Sequence, residues 1–276
     1  MPPKYSIITT CKGRLRDLKQ SLPRFLEQEN AEVIVVDYDC PDGTADYVAR
    51  THPQARVVAV ADQPKFNLPH ARNLGVAQAR GEFLVFLDAD VLIPGDFLKY
   101  VDGQMADRPF AIFGPRAKNS FRGQCVVRRA EFAKLGGYDE LMDGYGGEDL
   151  DFYARLRLLG ATPAMLKPEI LLEVLEQTRE ERERFRAPNL KIQFLRGQLY
   201  LSAKEMVMRA LGKPVLDLAL RRNLMKQVDR QLKALYTGEK EFTLEVKLPD
   251  KYKERRFLNE WEFSRSVSVK AVRKKQ

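Results

Sequence analysis

Four short apolar runs near the start of the chain constrain its fold more than any other feature. They are YSIITT at 5–10, EVIVVD at 32–37, ARVVAV at 55–60 and EFLVFLD at 82–88. Continuous apolar runs, as opposed to strictly alternating ones, mark strands covered on both faces. Helical patterns separate them. RLRDLKQSLPRFLEQ (14–28) sets Leu15, Leu18, Leu22, Phe25 and Leu26 at helical spacing. TADYVARTH reads as a short helix, and LPHARNLGVAQARG as another, stopped by Gly81. PGDFLKYVDGQM opens on a proline suited to a helix N-terminus. Strand and helix in alternation imply βαβ units, hence an α/β fold with a mainly parallel sheet flanked by helices. Such sheets bind ligands beyond the carboxyl ends of their strands. Thr10-Cys11-Lys12, Asp37-Tyr38-Asp39 and Asp88-Ala89-Asp90 are therefore expected along one edge.

The turn after the first run reads TCKGR. It lacks the G-x-G-x-x-G of dinucleotide binders, and no P-loop pattern follows. That argues against a dehydrogenase or a P-loop NTPase, and a nucleotidyltransferase would want a glycine-rich turn here too. Beyond Met105 the pattern changes: FAIFG and FRGQCVVRR read as strands, and RAEFAKLGGYDE as a short helix and turn. EDLDFYARLRLLG reads as a helix with a stripe of Leu150, Tyr153, Ala154 and Leu158, ended by Gly160. From about 190 onward the chain reads mainly as helix, with a strand at 241–248.

The 276 residues hold no apolar run near the ~18–20 of a membrane span. The N-terminus enters a strand at once, without the apolar segment of a signal peptide. Three widely spaced cysteines without C-x-x-C speak against a zinc site or a disulfide framework. A cytoplasmic protein with reduced thiols is expected. The net charge of +9 concentrates at the C-terminal end, where residues 251–276 hold nine Lys and Arg against three Glu. With Trp261 among them, that stretch fits a solvated tail, or peripheral contact with the inner face of an anionic membrane; nucleic acid is the less expected partner.

Two acidic knots carry the chemistry. Asp88 and Asp90 close an apolar strand, where adjacent carboxylates repel unless a cation sits on them. Hard oxygen ligands suit Mg²⁺ or Mn²⁺ with a diphosphate as further ligand; a solvated acidic loop is the plain alternative. In GYGGEDLDF, at 144–152, two glycines permit close backbone approach. Glu148, Asp149 and Asp151 then fall in a first helical turn, where the dipole favours acids. Helix capping alone accounts for them, but Tyr145 beside them also suits a sugar ring, with one carboxylate as general base.

Taken in order, these motifs resemble the family 2 glycosyltransferases of the GT-A fold. TCKGR stands where the family has a Pro-Thr-Tyr-Asn-Arg-like turn. VIVVDYDCPDGT matches its Val-Val-Asp-Asp-Gly-Ser-x-Asp-Gly-Thr pattern, and ARNLGVAQARGEFLVFLDAD follows its consensus. GGYDELMDGYGGEDLDFYARLRLLG is similar to the acceptor segment of β-1,4-galactosyltransferases and bacterial chondroitin polymerases. The resemblance implies a GT-A catalytic domain over 1–187, divided into a nucleotide-binding half (1–105) and an acceptor-binding half (106–187), and a mainly helical, basic extension over 188–276. It implies a hexosyl- or N-acetylhexosaminyl-transferase that draws on a nucleotide-diphosphate sugar, UDP-linked by preference, and inverts the anomeric centre. The acceptor would be a glycan or glycolipid hydroxyl, as in polysaccharide biosynthesis.

By position, Thr10, Lys12 and Arg14 would border the nucleotide and its phosphates, and Asp37, Tyr38 and Asp39 the base or ribose. Arg72 would lie near the diphosphate. Asp88 would touch ribose and metal, and Asp90 would bind the metal, Mn²⁺ or Mg²⁺. Tyr145, Gly146, Gly147 and Glu148 would bind the acceptor, and Asp149 would be the base. Three departures stand out. Tyr38 replaces the second Asp of the family's pair. Thr10 replaces a proline. Where relatives carry a His-x-x-His-like segment, this chain has Glu173 and Glu176, so either Glu176 or Glu173 would substitute as a metal ligand, or both face solvent on a charged helix and the site lacks this ligand. The rival expectation is an inactive GT-A-like module docking through its basic C-terminus.

Overall fold

The structure, a computed structural model, describes residues 2–105, 107–113, 123–170, 173–178, 180–181, 184–185, 189–236, 241–247 and 266–272. Trp261 and most of the basic C-terminal stretch lie outside the described residues. The chain forms two compact units, one of 1–143 with 160–188 and one of 144–159 with 189–276.

The first unit is built on β1 (Tyr5–Cys11), β2 (Ala31–Tyr38), β3 (Arg56–Val60), β4 (Phe83–Phe86), β6 (Phe110–Phe113), β7 (Cys125–Arg128) and β8 (Pro163–Leu166). They make one seven-stranded sheet in the order β3-β2-β1-β4-β7-β6-β8. β1 runs parallel to β2 and β4, β2 to β3, and β6 to β8, while β7 is antiparallel to both neighbours. A separate pair joins β5 (Val91–Leu92) to β9 (Glu173–Val174), antiparallel. The helices are α1 (Leu15–Leu26), α2 (Thr44–Thr51), α3 (Leu68–Ala77), α4 (Phe97–Met105) and α5 (Arg129–Lys134). Three of the continuous apolar runs are strands buried on both faces, as expected, whereas β3, at the sheet edge, is only half-buried and exposes Ala59. One face sends Ile7, Val33, Val35 and Val85 into a core with Leu18, Phe25, Phe97 and Val101 of α1 and α4. On the other face Ile8 and Val36 lie under Gly75 of α3, and Phe86 packs against Phe132 and Tyr138.

Gly81 has a different reason from the expected one. Helix α3 already ends at Ala77, capped by Gln78. A Cβ on Gly81 would stand 2.6 Å from both Ser6 N and Tyr5 C, so this glycine lets the chain pass against the backbone of β1. Its amide donates to Ser6 Oγ at 2.9 Å. Backbone cannot give way as a flexible side chain can, and overpacking of this kind costs about 1–3 kcal/mol. Gly81→Ala is expected to lower the unfolding free energy from urea titration by that amount, and an unchanged midpoint would contradict the reading.

The second unit contains α6 (Glu148–Leu158), α7 (Leu190–Leu211), α8 (Leu218–Tyr236) and an antiparallel hairpin of β10 (Glu241–Lys247) and β11 (Ser266–Val272). Asn189 caps α7, accepting from the Ile192 amide, and Gly212 ends it at φ 62. β11 falls inside the stretch expected to be a tail; its SVSVKAV alternation is a strand signal that the surrounding charges hide. The buried face of α6 also departs from expectation. Leu150 is 45% exposed, whereas Asp151, Phe152, Arg155 and Leu156 are buried. The helix turns charged residues inward because a buried cation meets them: Asp151 accepts from Arg155 Nε at 2.8 Å and pairs with Lys204 Nζ of α7 at 2.7 Å. No helix among the described residues is long and apolar enough to cross a membrane.

Candidate functional site

The parallel strands β1, β2 and β4 bring their carboxyl ends to one edge, and the predicted groups of the first unit gather there. Asp88 follows β4. Its amide donates to Gln124 Oε1 at 2.8 Å, and Gln124 Nε2 returns a bond to Asp88 Oδ2 at 2.9 Å. Arg72 Nη2 donates to Asp88 Oδ1 and to the Gly123 carbonyl, each at 3.1 Å. Arg72 is only 2% exposed, its guanidinium 5.7 Å from the Phe86 ring centre and 5.3 Å from that of Tyr138. A desolvated arginine between two rings is an expensive feature, stabilised here by a charge-assisted bond and two cation–π contacts. It fixes Asp88 in one rotamer with part of its carboxylate open to solvent.

Asp90 lies deeper. Its carboxyl is raised from the ordinary 3.8 to about 7, first by burial and then by the charge of Asp88, with Arg14 opposing and Asp17 adding to the rise. Gln177 Nε2 donates to Asp90 Oδ2 at 2.6 Å and to Asp17 Oδ2 at 3.3 Å. The 173–177 segment arrives through the β5–β9 pairing and the Leu175 amide, which donates to the Asp90 carbonyl at 2.8 Å. The segment expected to offer Glu176 thus does reach Asp90, but with Gln177; Glu173 and Glu176 are exposed. Among the described residues no group of three or more His, Cys, Asp and Glu is arranged to hold a metal ion. The donor set still fits one. A carboxylate destabilised by burial and a neighbouring carboxylate gains from a divalent cation, and the two carboxylates are oxygen donors suited to Mg²⁺ or Mn²⁺.

The raised Asp90 has a pH consequence in metal-free protein. The folded state holds this proton more tightly than the unfolded state does. Between about pH 4 and pH 7 the folded form therefore carries the extra proton, and stability falls as pH rises through that window. Asp90→Asn removes this slope. Urea midpoints for both proteins at about pH 5 and about pH 8 check it: the variant gains on the parent at the higher pH. An equal difference at both values would sink the assignment.

At the end of β2, Asp37 serves the backbone. Oδ1 accepts from the Cys40 amide at 2.8 Å and Oδ2 from the Ala45 amide at 2.7 Å, so it folds the 37–45 turn and starts α2. Tyr38 is buried, its hydroxyl bonded to Gln63 Oε1 at 3.1 Å and to His70 Nδ1 at 2.7 Å. Asp39, at φ 52, accepts from the Gln63 amide at 3.0 Å. Lys12, also buried, donates to the carbonyls of Tyr38, Asp39 and Gln63 at 3.2, 2.7 and 2.7 Å. In this state its ammonium braces three loops. Thr10 is buried on β1, opposite Val36. Arg14 reaches the Glu181 carbonyl at 3.4 Å and pairs with Asp17 at 3.8 Å.

The second unit holds the other acidic knot. Gly146 and Gly147 take φ values of 77° and 100°, which only glycine adopts without strain, and Gly147 caps α6. The close approach expected of these glycines is to α7. A Cβ on Gly197 would meet the Gly146 carbonyl at 2.6 Å, and one on Gly146 would meet the Phe194 ring at 3.4 Å. Glu148 and Asp149 begin the helix, half-buried, with Tyr145 half-buried just before them.

Sequence reasoning missed Gln124, Gln177, Asp17 and Gly197. An amide side chain has no motif of its own. Only the position of Gln124 just ahead of the CVVR strand, and of Gln177 within the histidine-replacing segment, signals them.

A family model described as glycosyl transferase family 2 matches residues 6–159. No curated protein is significantly similar to the sequence. Several solved structures share the fold. The mannosyltransferase PcManGT from Pyrobaculum calidifontis, in complex with GDP-Man and Mn²⁺, superposes with a TM-score of 0.58 at 20% identity, over 87% of this chain and 76% of that one. TarS 1-349 from S. aureus, in complex with UDP-GlcNAc, gives 0.58 at 17% identity, over 84% and 73%. Glucosyl-3-phosphoglycerate synthase from Mycobacterium tuberculosis, with Mn²⁺, UDP and phosphoglyceric acid, gives 0.53 at 14%, over 71% and 78%.

Proposed function

The chain belongs to glycosyl transferase family 2, and from that membership we propose that it moves a hexosyl or N-acetylhexosaminyl group from a nucleotide-diphosphate donor, UDP-linked by preference, to a glycan or glycolipid hydroxyl with inversion. The observation that carries the reading is the Asp88–Asp90 pair at the carboxyl edge of the sheet. One of these carboxyls is buried, raised to about 7 by burial and its neighbour, and bonded to an amide. The other is fixed by a buried arginine. This arrangement is suited to a cation and its diphosphate. Structures of the same fold with GDP-Man and Mn²⁺, or with UDP and Mn²⁺, support it.

Asp88 and Asp90 would hold Mn²⁺ or Mg²⁺, with the Gln177 amide beside them. When bound, such an ion neutralises charge growing on a departing diphosphate. Arg72 keeps Asp88 from swinging away. Asp37 and Lys12 hold the 37–45 turn and the Gln63 loop in shape, so a nucleotide would meet a preformed edge. Asp149 would take the proton from the acceptor hydroxyl as its oxygen forms a bond to the anomeric carbon and the bond to the diphosphate breaks. Tyr145 would pack on a sugar face, with Glu148 accepting from hydroxyls.

A panel of UDP- and GDP-sugars, each with Mn²⁺, tests the reading by thermal unfolding. A ligand that binds only the folded state at about 100 times its Kd adds about 2.7 kcal/mol. At least one nucleotide sugar is expected to raise the melting temperature, and Asp90→Ala to cancel the rise. If none does so for the parent protein, the reading fails; a full rise in Asp90→Ala would remove Asp90 from the metal site.

A further inference from the structure

Two of the three cysteines lie together at the same sheet edge, a juxtaposition that sequence spacing does not suggest. Cys11 is the last residue of β1 and pairs in register with Asp37 of β2. Asp37 Oδ1 takes the Cys40 amide and folds the chain back, which sets Cys40 over Cys11 with their sulfurs 4.0 Å apart. The Gly13 amide donates to Cys40 Sγ at 3.1 Å, and Thr44 Oγ1 lies 3.2 Å from Cys11 Sγ. Cys11 is fully buried and Cys40 half-buried, whereas Cys125 is buried elsewhere, with Tyr138 Oη 3.6 Å from its sulfur.

We propose that Cys11 and Cys40 form a reversible redox site, in which a hydroperoxide oxidises Cys40 and Cys11 resolves it to a disulfide across the 10–14 and 37–43 turns. The geometry assigns the roles. Cys40 is the less buried of the pair, and its sulfur takes the backbone donor, which stabilises a thiolate. Consistently, its thiol is lowered to about 6, first by the bond from Cys11 and also by Thr44 and the Asp42 and Gly13 amides, while the Cys11 thiol is pushed up by that same bond and by burial. A low, partly exposed thiolate beside a second thiol is the pattern of a redox-active cysteine with its resolving partner. The Cys40 sulfur attacks the peroxide O–O bond, forming a sulfenic acid and releasing an alcohol, or water from hydrogen peroxide. The Cys11 sulfur then attacks the Cys40 sulfur, and its proton leaves with the hydroxyl as water. In sum two thiols and one hydroperoxide give one disulfide, one alcohol and one water. The bond needs the sulfurs at about 2.05 Å, so they close by about 2 Å, and Cys40 Sγ must leave the Gly13 amide. That reshapes the TCKGR turn. If the transferase reading holds, the oxidised protein binds its nucleotide more weakly.

The test uses the full chain with hydrogen peroxide as oxidant and no nucleotide. Thiols counted after denaturation are expected to fall from three to one, a peptide map to link Cys11 with Cys40, and dithiothreitol to restore all three. Cys125→Ser is expected to form the same link. Cys11→Ser is expected to stop at a Cys40 sulfenic acid that a dimedone probe captures, and Cys40→Ser to leave Cys11 unreacted. An unlinked pair in the parent, or Cys125 oxidised ahead of Cys40, overturns the proposal. Because this arm contains no nucleotide, its failure is separate from failure of the nucleotide-sugar screen. Repeating that screen on oxidised protein is expected to show a smaller rise, and an equal rise overturns the link to the turn.

Discussion

Asp149→Asn is expected to keep the fold and donor binding and to lose transfer by about 10²–10⁴-fold, the span that a positioned general base contributes. Asp149 stands in the first turn of α6, after a glycine pair at φ 77° and 100° that ends the loop and delivers the helix N-terminus. Acids are favoured there by the helix dipole. Asparagine keeps the size and the hydrogen-bonding reach of the side chain but cannot take a proton. The useful measurement is therefore a split: kcat with an acceptor that supports parent turnover, against the donor Kd from a binding titration. Loss of kcat at constant Kd assigns the base. If both fall together, Asp149 belongs to the binding surface, and if neither moves the base lies elsewhere. The neighbour Glu148 gives the contrast. Glu148→Gln should act mainly through the acceptor KM, because it is assigned to hydroxyl recognition and not to proton transfer.

Asp151→Ala is expected to destabilise the second unit by about 3–5 kcal/mol, as removal of one member of a buried ion pair does. Asp151 is 0% exposed and joins Arg155 and Lys204, themselves 3% and 1% exposed. Without the carboxylate two cations remain in a dry interior beside Tyr200, whose ring centre is 5.7 Å from Lys204 Nζ. The internal control is Asp229, paired with Arg196 of α7 in a half-exposed bridge at 2.6 Å. Asp229→Ala should cost less than about 1 kcal/mol, because solvent screens such pairs. Urea unfolding of both variants against the parent decides it, and equal costs would mean that the Asp151 cluster is wetter than its burial indicates.

The parallel half of the fold was legible because its strands are sandwiched between helices. Burial on both faces demands continuous apolar runs, and few other structures produce them at that spacing. Asp88 and Asp90 were legible for the converse reason, as charges at the end of such a run. What escaped reading depends on partners far along the chain. The spacing of α6 turns Leu150 inward; the helix instead buries Asp151 and Arg155, because Lys204 makes that possible. Gly81 looked like a helix stop, yet its necessity comes from the backbone of β1. β11 lies within a basic stretch whose charge masks its alternation. Gln177 replaced the expected Glu176 because approach to Asp90 is set by the β5–β9 register, one residue from the sequence guess. Cys11 and Cys40 become neighbours only through the turn that Asp37 folds.

The discontinuity of the second unit has a consequence for biosynthesis. Its first piece, 144–159, leaves the ribosome before the rest of the first unit is complete, while Lys204 emerges only later. Domains tend to form as units in the order of synthesis. Helix α6 must therefore wait, with Asp151 and Arg155 lacking their buried cation, until α7 is made. A nascent chain stopped at 188 would hold the seven-stranded sheet but not a settled α6, so a truncation that discards the C-terminal helices should leave Asp151 without its buried partner.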